Sequence, residues 1–169
     1  MNYKIRKATV EDSKELAIVK RKAWESTYRG IYPDEKLDNY NFEEQGSKFN
    51  NLISNENITF YVVEFENKII GYMSCGQPMR AFKHYEQEIG LLYILKEYQG
   101  QGIGRRLFSI AYDNIKNNGY KEFFISCNKY NLNAQKYYEA MGGKIVWTDE
   151  DNEDKSIPQI KYHYDILFL

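Results

Sequence analysis

The chain has 169 residues, 43% of them hydrophobic and 28% charged, which is the composition of a globular protein long enough to bury its own core. Its 23 basic and 24 acidic side chains nearly cancel, so we expect no nucleic-acid partner, which would need a basic face. No apolar run approaches the length of a membrane span, and we expect no membrane partner either.

Two cysteines, Cys75 and Cys127, show neither metal-ligand spacing nor a disulfide framework. We assign both to packing and expect no metal. The same cysteine usage, with no apolar signal region at residues 1–7, predicts a reducing, cytoplasmic location. Because the sequence contains no repeat, low-complexity tract or linker, it predicts one domain over residues 1–169.

The first elements are a short strand at residues 4–7 and a group of helices. Thr9 followed by Asp12 has the spacing of a helix N-cap and its acidic partner. This spacing predicts a helix that ends at or before Gly30. A second, short helix starts at residues 33–34, and a third covers residues 42–53.

After the third predicted helix, the sequence has the patterns typical of strands. Residues 58–63 and 69–75 are β-branched and aromatic and flank a polar turn, which predicts a hairpin. The largely apolar run 89–95 predicts a strand buried on both faces. The remaining predicted elements are a helix from Ile103 to near residue 118, a strand at 123–127, a helix at 133–141, and strands at 144–147 and 160–167. The acidic residues 149–154 predict a solvated hairpin loop between the last two strands.

The segment Gln99-Gly100-Gln101-Gly102-Ile103-Gly104 lies between a strand and a helix. Free N–H groups in the first helical turn attract anions, and glycines let the backbone approach them closely. Two nucleotide-binding alternatives fail, because no Lys-Ser/Thr pair follows the glycines and because Arg105 occupies the third glycine position of the dinucleotide fingerprint. The segment therefore predicts a phosphate site of another kind, and a glycine turn without a ligand is the remaining alternative.

Two patches carry a family resemblance. Gln99-x-x-Gly102-x-Gly104 resembles the Gln/Arg-x-x-Gly-x-Gly/Ala signature of the GNAT superfamily of N-acetyltransferases, and residues 131–142 resemble that family's Asn-x-x-Ala-x-x-Phe-Tyr-x-x-x-Gly. The resemblance implies acetyl-CoA as co-substrate. With the element order, it implies an α/β fold whose mixed, mostly antiparallel central sheet of about six to seven strands is flanked by helices on both faces.

The resemblance also implies which residues hold the cofactor. The pantetheine would pair with the main chain of the strand before the loop, the pyrophosphate would meet the loop, and an asparagine would contact the cofactor from the far side. These positions are Leu92, Tyr93, Ile94, Gln99, Gly100, Gln101, Gly102, Ile103, Gly104, Arg105 and Asn131. Asn131 is explained nearly as well as a loop residue that precedes a helix.

For catalysis, Tyr138 matches the family tyrosine that faces the cofactor sulfur, and Tyr137 is expected to be a core aromatic. The general base is open: Ser126 stands where some members have a glutamate, whereas Glu88 matches a glutamate that others place early in the strand before the loop. We favour Glu88, with an exposed strand-end carboxylate as the alternative interpretation.

The resemblance further implies that the first helix–loop region, with Trp24, Tyr28 and Tyr32, forms one wall of the acceptor cleft. These aromatic residues could bind an amine by cation–π contact, or they are plain core. His84 is expected to be exposed, and His163 has no evident partner in the sequence.

The leading functional hypothesis is transfer of acetyl from acetyl-CoA to a primary amine, in a small molecule or a peptide, by direct attack in a ternary complex. The alternatives are a non-catalytic acyl-CoA-binding sensor of the same fold and a transferase of longer acyl groups. The apolar residues 166–169 would suit a homodimer.

Overall fold

The structure is a computed structural model that describes residues 2–167. Within them, the strands are β1 (Lys4–Lys7), β2 (Ile58–Phe65), β3 (Lys68–Gly76), β4 (Glu88–Ile94), β5 (Glu122–Asn128), β6 (Lys144–Thr148) and β7 (Gln159–Asp165). The helices are α1 (Ser13–Tyr28), α2 (Asp34–Asp38), α3 (Phe42–Ile53), α4 (Ile103–Asn117) and α5 (Leu132–Ala140). Short 3-10 turns cover Val10–Asp12 and Lys96–Tyr98.

The seven strands of the described chain form one sheet in the order β1-β2-β3-β4-β5-β7-β6. Every neighbouring pair is antiparallel except β4 and β5, which are parallel. Helices pack on both faces, so the predicted mixed, mostly antiparallel α/β sheet is confirmed. This connectivity brings the β4–α4 and β5–α5 connections to the same edge of the sheet, because parallel neighbours end on the same side.

The two faces of the sheet carry different helices. On the face that we call the α1 face, the indole of Trp24 reaches Tyr93 of β4, and Phe49 of α3 packs on Tyr72 of β3. On the α4 face, Phe108 of α4 packs on Phe123 of β5. Residues two apart in a strand share a face, so these contacts fix which side chains of β4, β5 and β7 lie on each side.

Local signals account for most boundaries. The Thr9 backbone N–H donates to Asp12 Oδ2 at 2.7 Å ahead of α1, as the capping spacing predicts. Helix α1 ends at Tyr28, before Gly30, whose φ is +83°. At the β2–β3 hairpin, Glu66 and Asn67 adopt φ values of 50° and 60°, the left-handed pair that tight hairpin turns require.

Strand β4 differs from its prediction. It covers Glu88–Ile94, and residues 88 and 89 are buried, whereas residues 90–94 are only partly buried. The reason is that β4 pairs with β5 at just two positions, Glu88 with Phe124 and Ile89 with Ile125. Beyond them the two strands are no longer paired, so this half of β4 borders a gap in the sheet and is not covered on both faces.

Two features near the C-terminus also differ. Residues 149–154 do connect β6 to β7, but the loop is not simply solvated. Asp151 contacts the Lys129 ammonium at 3.0 Å and accepts from the Tyr130 hydroxyl at 2.7 Å, and Asp154 contacts Lys36 of α2 at 3.3 Å. Strand β7 ends at Asp165. In the apolar segment predicted to suit a homodimer, residues 168 and 169 lie outside the described residues.

None of the helices described between residues 2 and 167 has the length and apolarity needed to cross a membrane.

Candidate active site

A cleft of about 1360 Å³ occupies the gap between β4 and β5. Its walls come from both faces of the sheet: α1 and the residues after it, both strands, the loop before α4, α5, and part of β7. Because β4 pairs with β5 only through its first two residues, the gap opens toward the edge where α4 and α5 begin. The cleft therefore connects the two faces of the sheet.

A β-bulge in β4 sets which side chains enter the cleft from which face. Cys75 of β3 pairs with Ile89 and Ser74 pairs with Leu91, so Gly90 is an extra residue. Without it, Glu88 and Tyr93 would alternate onto opposite faces, since they are five residues apart. With the bulge, both lie on the α1 face.

The glycine loop joins β4 to α4. Gly100 and Gly102 have φ values of +72° and +80°, and a Cβ at either would meet nothing within 4 Å, so the requirement for glycine is conformational. The first helical hydrogen bond runs from Arg106 N–H to Gly102 O at 3.1 Å. The N–H groups of residues 103–105 thus lack helical acceptors and form an anion site at the helix N-terminus.

The side chains of the loop hold it in place. Gln99 Nε2 donates to the Ile94 carbonyl at 2.9 Å, which fastens the loop to the end of β4, and Gln101 Nε2 donates to the Glu97 carbonyl at 3.3 Å. Residues 99–102 are exposed. All but one of the predicted cofactor residues line the cleft; the exception is Gln101. Those that line it are Leu92, Tyr93, Ile94, Gln99, Gly100, Gly102, Ile103, Gly104, Arg105 and Asn131.

Asn131 has a clear structural role. It caps α5, with Oδ1 accepting from Ala134 N–H at 3.1 Å, and its Nδ2 donates to the Tyr28 hydroxyl at 3.3 Å. It also lines the cleft. Both interpretations of this residue are therefore compatible with its position, and its contact with a cofactor stays a prediction.

Tyr138 enters from the α4 face. It is 6% exposed and packs against Tyr162 of β7, with ring centroids 5.9 Å apart. Burial raises the pKa of its phenol well above the ordinary value, so the hydroxyl stays protonated at neutral pH. A protonated phenol beside the cleft is suited to donate a hydrogen bond to a developing anion.

Tyr137 is a cleft residue that sequence reasoning missed. Its ring lines the cleft, and its buried hydroxyl has no hydrogen-bond partner among the described residues. The hydroxyl lies 3.4 Å from where a Cβ on Gly104 would stand, and burial raises the pKa of Tyr137 to about 12. An orphaned buried hydroxyl against the first turn of α4 fits a polar ligand there.

Glu88 enters from the α1 face. It is 9% exposed, which is not the exposed carboxylate of the alternative interpretation, and its Oε2 accepts from the Met79 N–H at 3.0 Å. Burial raises the pKa of Glu88 above that of a free glutamate, and the charges of Lys161 and Arg80 partly oppose the shift. A carboxylate with a raised pKa is a better proton acceptor.

Ser126 lies in the cleft and accepts a hydrogen bond from Lys161 Nζ at 2.7 Å. Lys161 is the second residue that sequence reasoning missed. Its place depends on the register between β5 and β7, which sets Ser126 opposite Lys161, and no local pattern indicates that register.

The three aromatic residues predicted for the acceptor wall lie together and line the cleft. Trp24 Nε1 donates to the Tyr93 hydroxyl at 3.1 Å, and the rings of Tyr28 and Tyr32 stack with centroids 4.0 Å apart. Lys20 already occupies a cation–π position 4.6 Å from the Trp24 ring. Trp24 and Tyr28 therefore have packing roles, and their contact with an acceptor stays a prediction.

The histidines lie outside the cleft. His84 is exposed, as expected, and contacts Glu122 at 3.0 Å. His163, for which the sequence shows no evident partner, contacts the Tyr85 hydroxyl and Asp165 Oδ1, each at 3.0 Å. Tyr85 lies in the segment before β4, far from His163 in sequence, and Asp165 is two residues along in β7. Within residues 2–167, no group of three or more His, Cys, Asp or Glu side chains could hold a metal ion.

Both cysteines are buried and unpaired, and burial raises the pKa of each thiol to about 12. Cys75 packs in the core. Cys127 also lines the cleft, so packing is only part of its environment.

Comparison with known proteins agrees with this architecture. The model of the acetyltransferase (GNAT) family matches residues 21–143, which include the glycine loop, both strands of the gap and α5. The chain belongs to the GNAT family and is an acetyltransferase.

Two relatives illustrate the similarity in sequence. The chain is 27% identical over 121 residues to the uncharacterized N-acetyltransferase YuaI of Bacillus subtilis, covering 72% of this chain and 69% of YuaI. It is also 27% identical over 154 residues to a spermidine N(1)-acetyltransferase of Thermoplasma acidophilum, covering 88% of this chain and 92% of the relative.

Solved structures share the fold. PaiA N-acetyltransferase from Thermoplasma acidophilum, in complex with coenzyme A, superposes with a TM-score of 0.76 at 24% identity, over 98% of this chain and 99% of that one. The yncA structure from Salmonella typhimurium, solved with its cofactor acetyl-CoA, superposes with a TM-score of 0.71 at 17% identity, over 97% of this chain and 94% of that one.

Proposed function

We propose that the protein transfers the acetyl group of acetyl-CoA to a primary amine, in a small molecule or a peptide, by direct attack in a ternary complex. One observation carries the proposal: a single cleft joins the α4 N-terminus and Tyr138 on one face to Glu88 on the other. Two reactants that enter from opposite faces can meet in the gap between β4 and β5.

The residues present fit acetyl-CoA, which supplies an activated acetyl thioester. The exposed loop of residues 99–102 and the free N–H groups of residues 103–105 would hold a pyrophosphate, with Arg105 adding a charge-assisted hydrogen bond. Residues 92–94 border the gap without pairing to β5, so their main chain is free to pair with an extended pantetheine. Tyr137 and Asn131 would contact the cofactor from α5.

The chain's own groups account for the proton transfers. An alkylammonium acceptor has an ordinary pKa of about 10.4, so it must lose a proton before its nitrogen attacks. Glu88 would accept that proton, directly or through one water. The backbone N–H near Ile94 would polarise the thioester carbonyl. As the C–N bond forms and the C–S bond breaks, the Tyr138 hydroxyl would hydrogen-bond or protonate the departing thiolate. The second proton, which the attacking nitrogen loses as the amide forms, would restore the phenol or pass to the thiolate.

A covalent acetyl-protein intermediate has little support. Cys127 is the thiol that lines the cleft among the described residues, and burial raises its pKa to about 12. At neutral pH it is a protonated thiol, which is a poor nucleophile.

The test is release of coenzyme A thiol from acetyl-CoA with a panel of amines, polyamines, amino acids, aminoglycosides and peptides. The relative named for spermidine is the reason to include that polyamine. We expect at least one amine to give turnover above background hydrolysis. Tight binding of acetyl-CoA without turnover would favour a binding-only sensor, and faster turnover with a longer acyl thioester would favour a different acyl donor.

One domain over residues 1–169, a cytoplasmic location and a homodimer remain predictions from the sequence.

A further inference from the structure

Charge is unevenly distributed in the cleft. Among the described residues that line it, Glu88 is the one carboxylate, and the basic side chains are Lys36, Arg80, Lys96, Arg105 and Lys161. Lys96 and Arg105 flank the glycine loop, where cofactor phosphates are expected. Arg80 and Lys161 lie at the other end, since each acts electrostatically on Glu88.

Lys161 is held on the α1 face with its ammonium toward the cleft. Its Nζ donates to Ser126 Oγ at 2.7 Å and lies 5.0 Å and 5.3 Å from the ring centroids of Phe82 and Phe124. No carboxylate of residues 2–167 is within ion-pair distance of it. Burial lowers the pKa of Lys161, which Glu88 and Asp149 partly oppose. A partly buried ammonium that has only neutral close contacts gains from an anionic ligand.

Arg80 supplies a second cation beside the first. It follows Met79, whose backbone N–H holds Glu88, and its exposed side chain lines the same part of the cleft. Within the described chain it forms no ion pair. A guanidinium presents a planar fork of donors that matches a carboxylate or a phosphate in two-point contact. The pair Arg80 and Lys161, which we call the anion anchor, flanks the candidate base.

We propose, resting on the acetyl transfer proposed above, that the acceptor is a primary amine that also carries an anionic group, a carboxylate or a phosphate. The anion binds the anion anchor while the amine lies next to Glu88. A polycationic acceptor would meet two like charges there, with Glu88 as the one carboxylate among the described residues that line the cleft, and like charges in one site repel. The anchor therefore selects acceptors by attraction of one class and repulsion of another.

The experiment compares matched acceptors by thiol release. One arm pairs an amino acid with its carboxamide, a second pairs phosphoethanolamine with ethanolamine, and spermidine is the third. In the wild type we expect the anionic member of at least one pair to have a kcat/KM about tenfold or more above its neutral partner, the effect of one charge-assisted hydrogen bond. The arm with the larger ratio identifies carboxylate or phosphate.

Two variants test the anchor itself. Lys161→Gln and Arg80→Gln should each reduce the preference for the anionic member, mainly through KM. The readout is the ratio of kcat/KM between the two members of a pair within each variant, because either substitution also changes the charge near Glu88 for both members. Arg80 is exposed, so its variant remains informative if Lys161→Gln folds poorly. Lys144→Gln, outside the cleft, is the control and should keep the wild-type preference.

The outcomes separate this inference from the proposed function. If amines are acetylated but neutral amines or spermidine are preferred, or if both variants keep the anionic preference, the anchor is wrong and the transferase activity stands. If no amine is acetylated, the proposed function fails, and thermal shifts by the same anionic amines decide the anchor. A thermal shift that the wild type shows and Arg80→Gln loses would support the anion anchor. The absence of a thermal shift in the wild type would contradict it.

Discussion

At the scale of single residues, the proposed reaction depends most directly on the Tyr138 hydroxyl. Its hydroxyl is buried and protonated at the α4 side of the cleft. Tyr138→Phe removes this donor and keeps the ring, so we expect kcat to fall by about a hundredfold, the range of a general acid, with little change in KM for acetyl-CoA. Steady-state kinetics measure both.

The matched control is Tyr61→Phe, whose ring lies against α4 outside the cleft and whose hydroxyl accepts from Asn114 at 3.3 Å. It should retain wild-type turnover. Unchanged turnover in Tyr138→Phe would remove the phenol from the mechanism.

Glu88 gives a prediction about pH. As a base it must be ionised, so the rate should rise with pH through the pKa of Glu88, which burial places above that of a free glutamate. In Glu88→Gln this rise should disappear and kcat/KM should fall by about a hundredfold. Glu86→Gln, the exposed neighbour outside the cleft, should keep the wild-type profile.

The melting temperature of Glu88→Gln gives a test of the Glu88 pKa that is independent of the rate. A glutamate whose pKa is raised by folding stabilises the protein below its unfolded pKa and loses that contribution as pH rises through the folded pKa. Glu88→Gln should therefore melt at a higher temperature than the wild type above that pKa, and the difference should shrink in acid. A rate profile that keeps its acid limb in the variant would exclude Glu88 as the base.

The residues of the candidate site differ in how far the sequence alone predicts them. Tyr138 and Asn131 follow from the resemblance of one short segment, residues 131–142, to the family's motif. Lys161 and Tyr137 do not, because Lys161 depends on the β5–β7 register and Tyr137 on how α5 lies against the first turn of α4.

At the scale of secondary-structure elements, replacing glycine by alanine should be unfavourable in the loop at Gly102 and stabilising in helix α3 at Gly46. Gly102 has a φ of +80°, so Gly102→Ala costs about 1–2 kcal/mol in the left-handed conformation and should distort the loop. Gly46 lies within α3, where an added Cβ finds atoms no closer than 4.0 Å. Gly46→Ala should stabilise the protein by about 0.5–1 kcal/mol.

Calorimetric titration of coenzyme A and thermal melts distinguish the two. Gly102→Ala should weaken binding by about tenfold, and Gly46→Ala should raise the melting temperature with normal binding. Wild-type affinity in Gly102→Ala would show that the loop does not hold the cofactor.

Helix ends and the β2–β3 hairpin were predictable because caps and turn residues act within a few positions. Strand β4 was predicted as a strand, but its environment was not. The divergence from β5 and the bulge at Gly90 depend on partners distant in sequence, and together they make the cleft and place Glu88 on the α1 face.

For the whole molecule, composition is a poor guide to the site. The formal net charge is −1, yet the lining of the cleft is predominantly basic. Charge balance over the whole sequence is the basis for expecting no nucleic-acid partner, whereas the proposed acceptor choice rests on the few side chains that strand pairing brings to one gap. The fold follows from element order and the resemblance, and the acceptor depends on the folded arrangement.

The central claim is that both substrates occupy one cleft and react directly. Initial rates measured while acetyl-CoA and the best acceptor are both varied test it, with mass spectrometry of the protein incubated with acetyl-CoA alone. We predict intersecting double-reciprocal lines and no acetylated protein. Parallel lines, with an acetyl group on Cys127, would contradict the account.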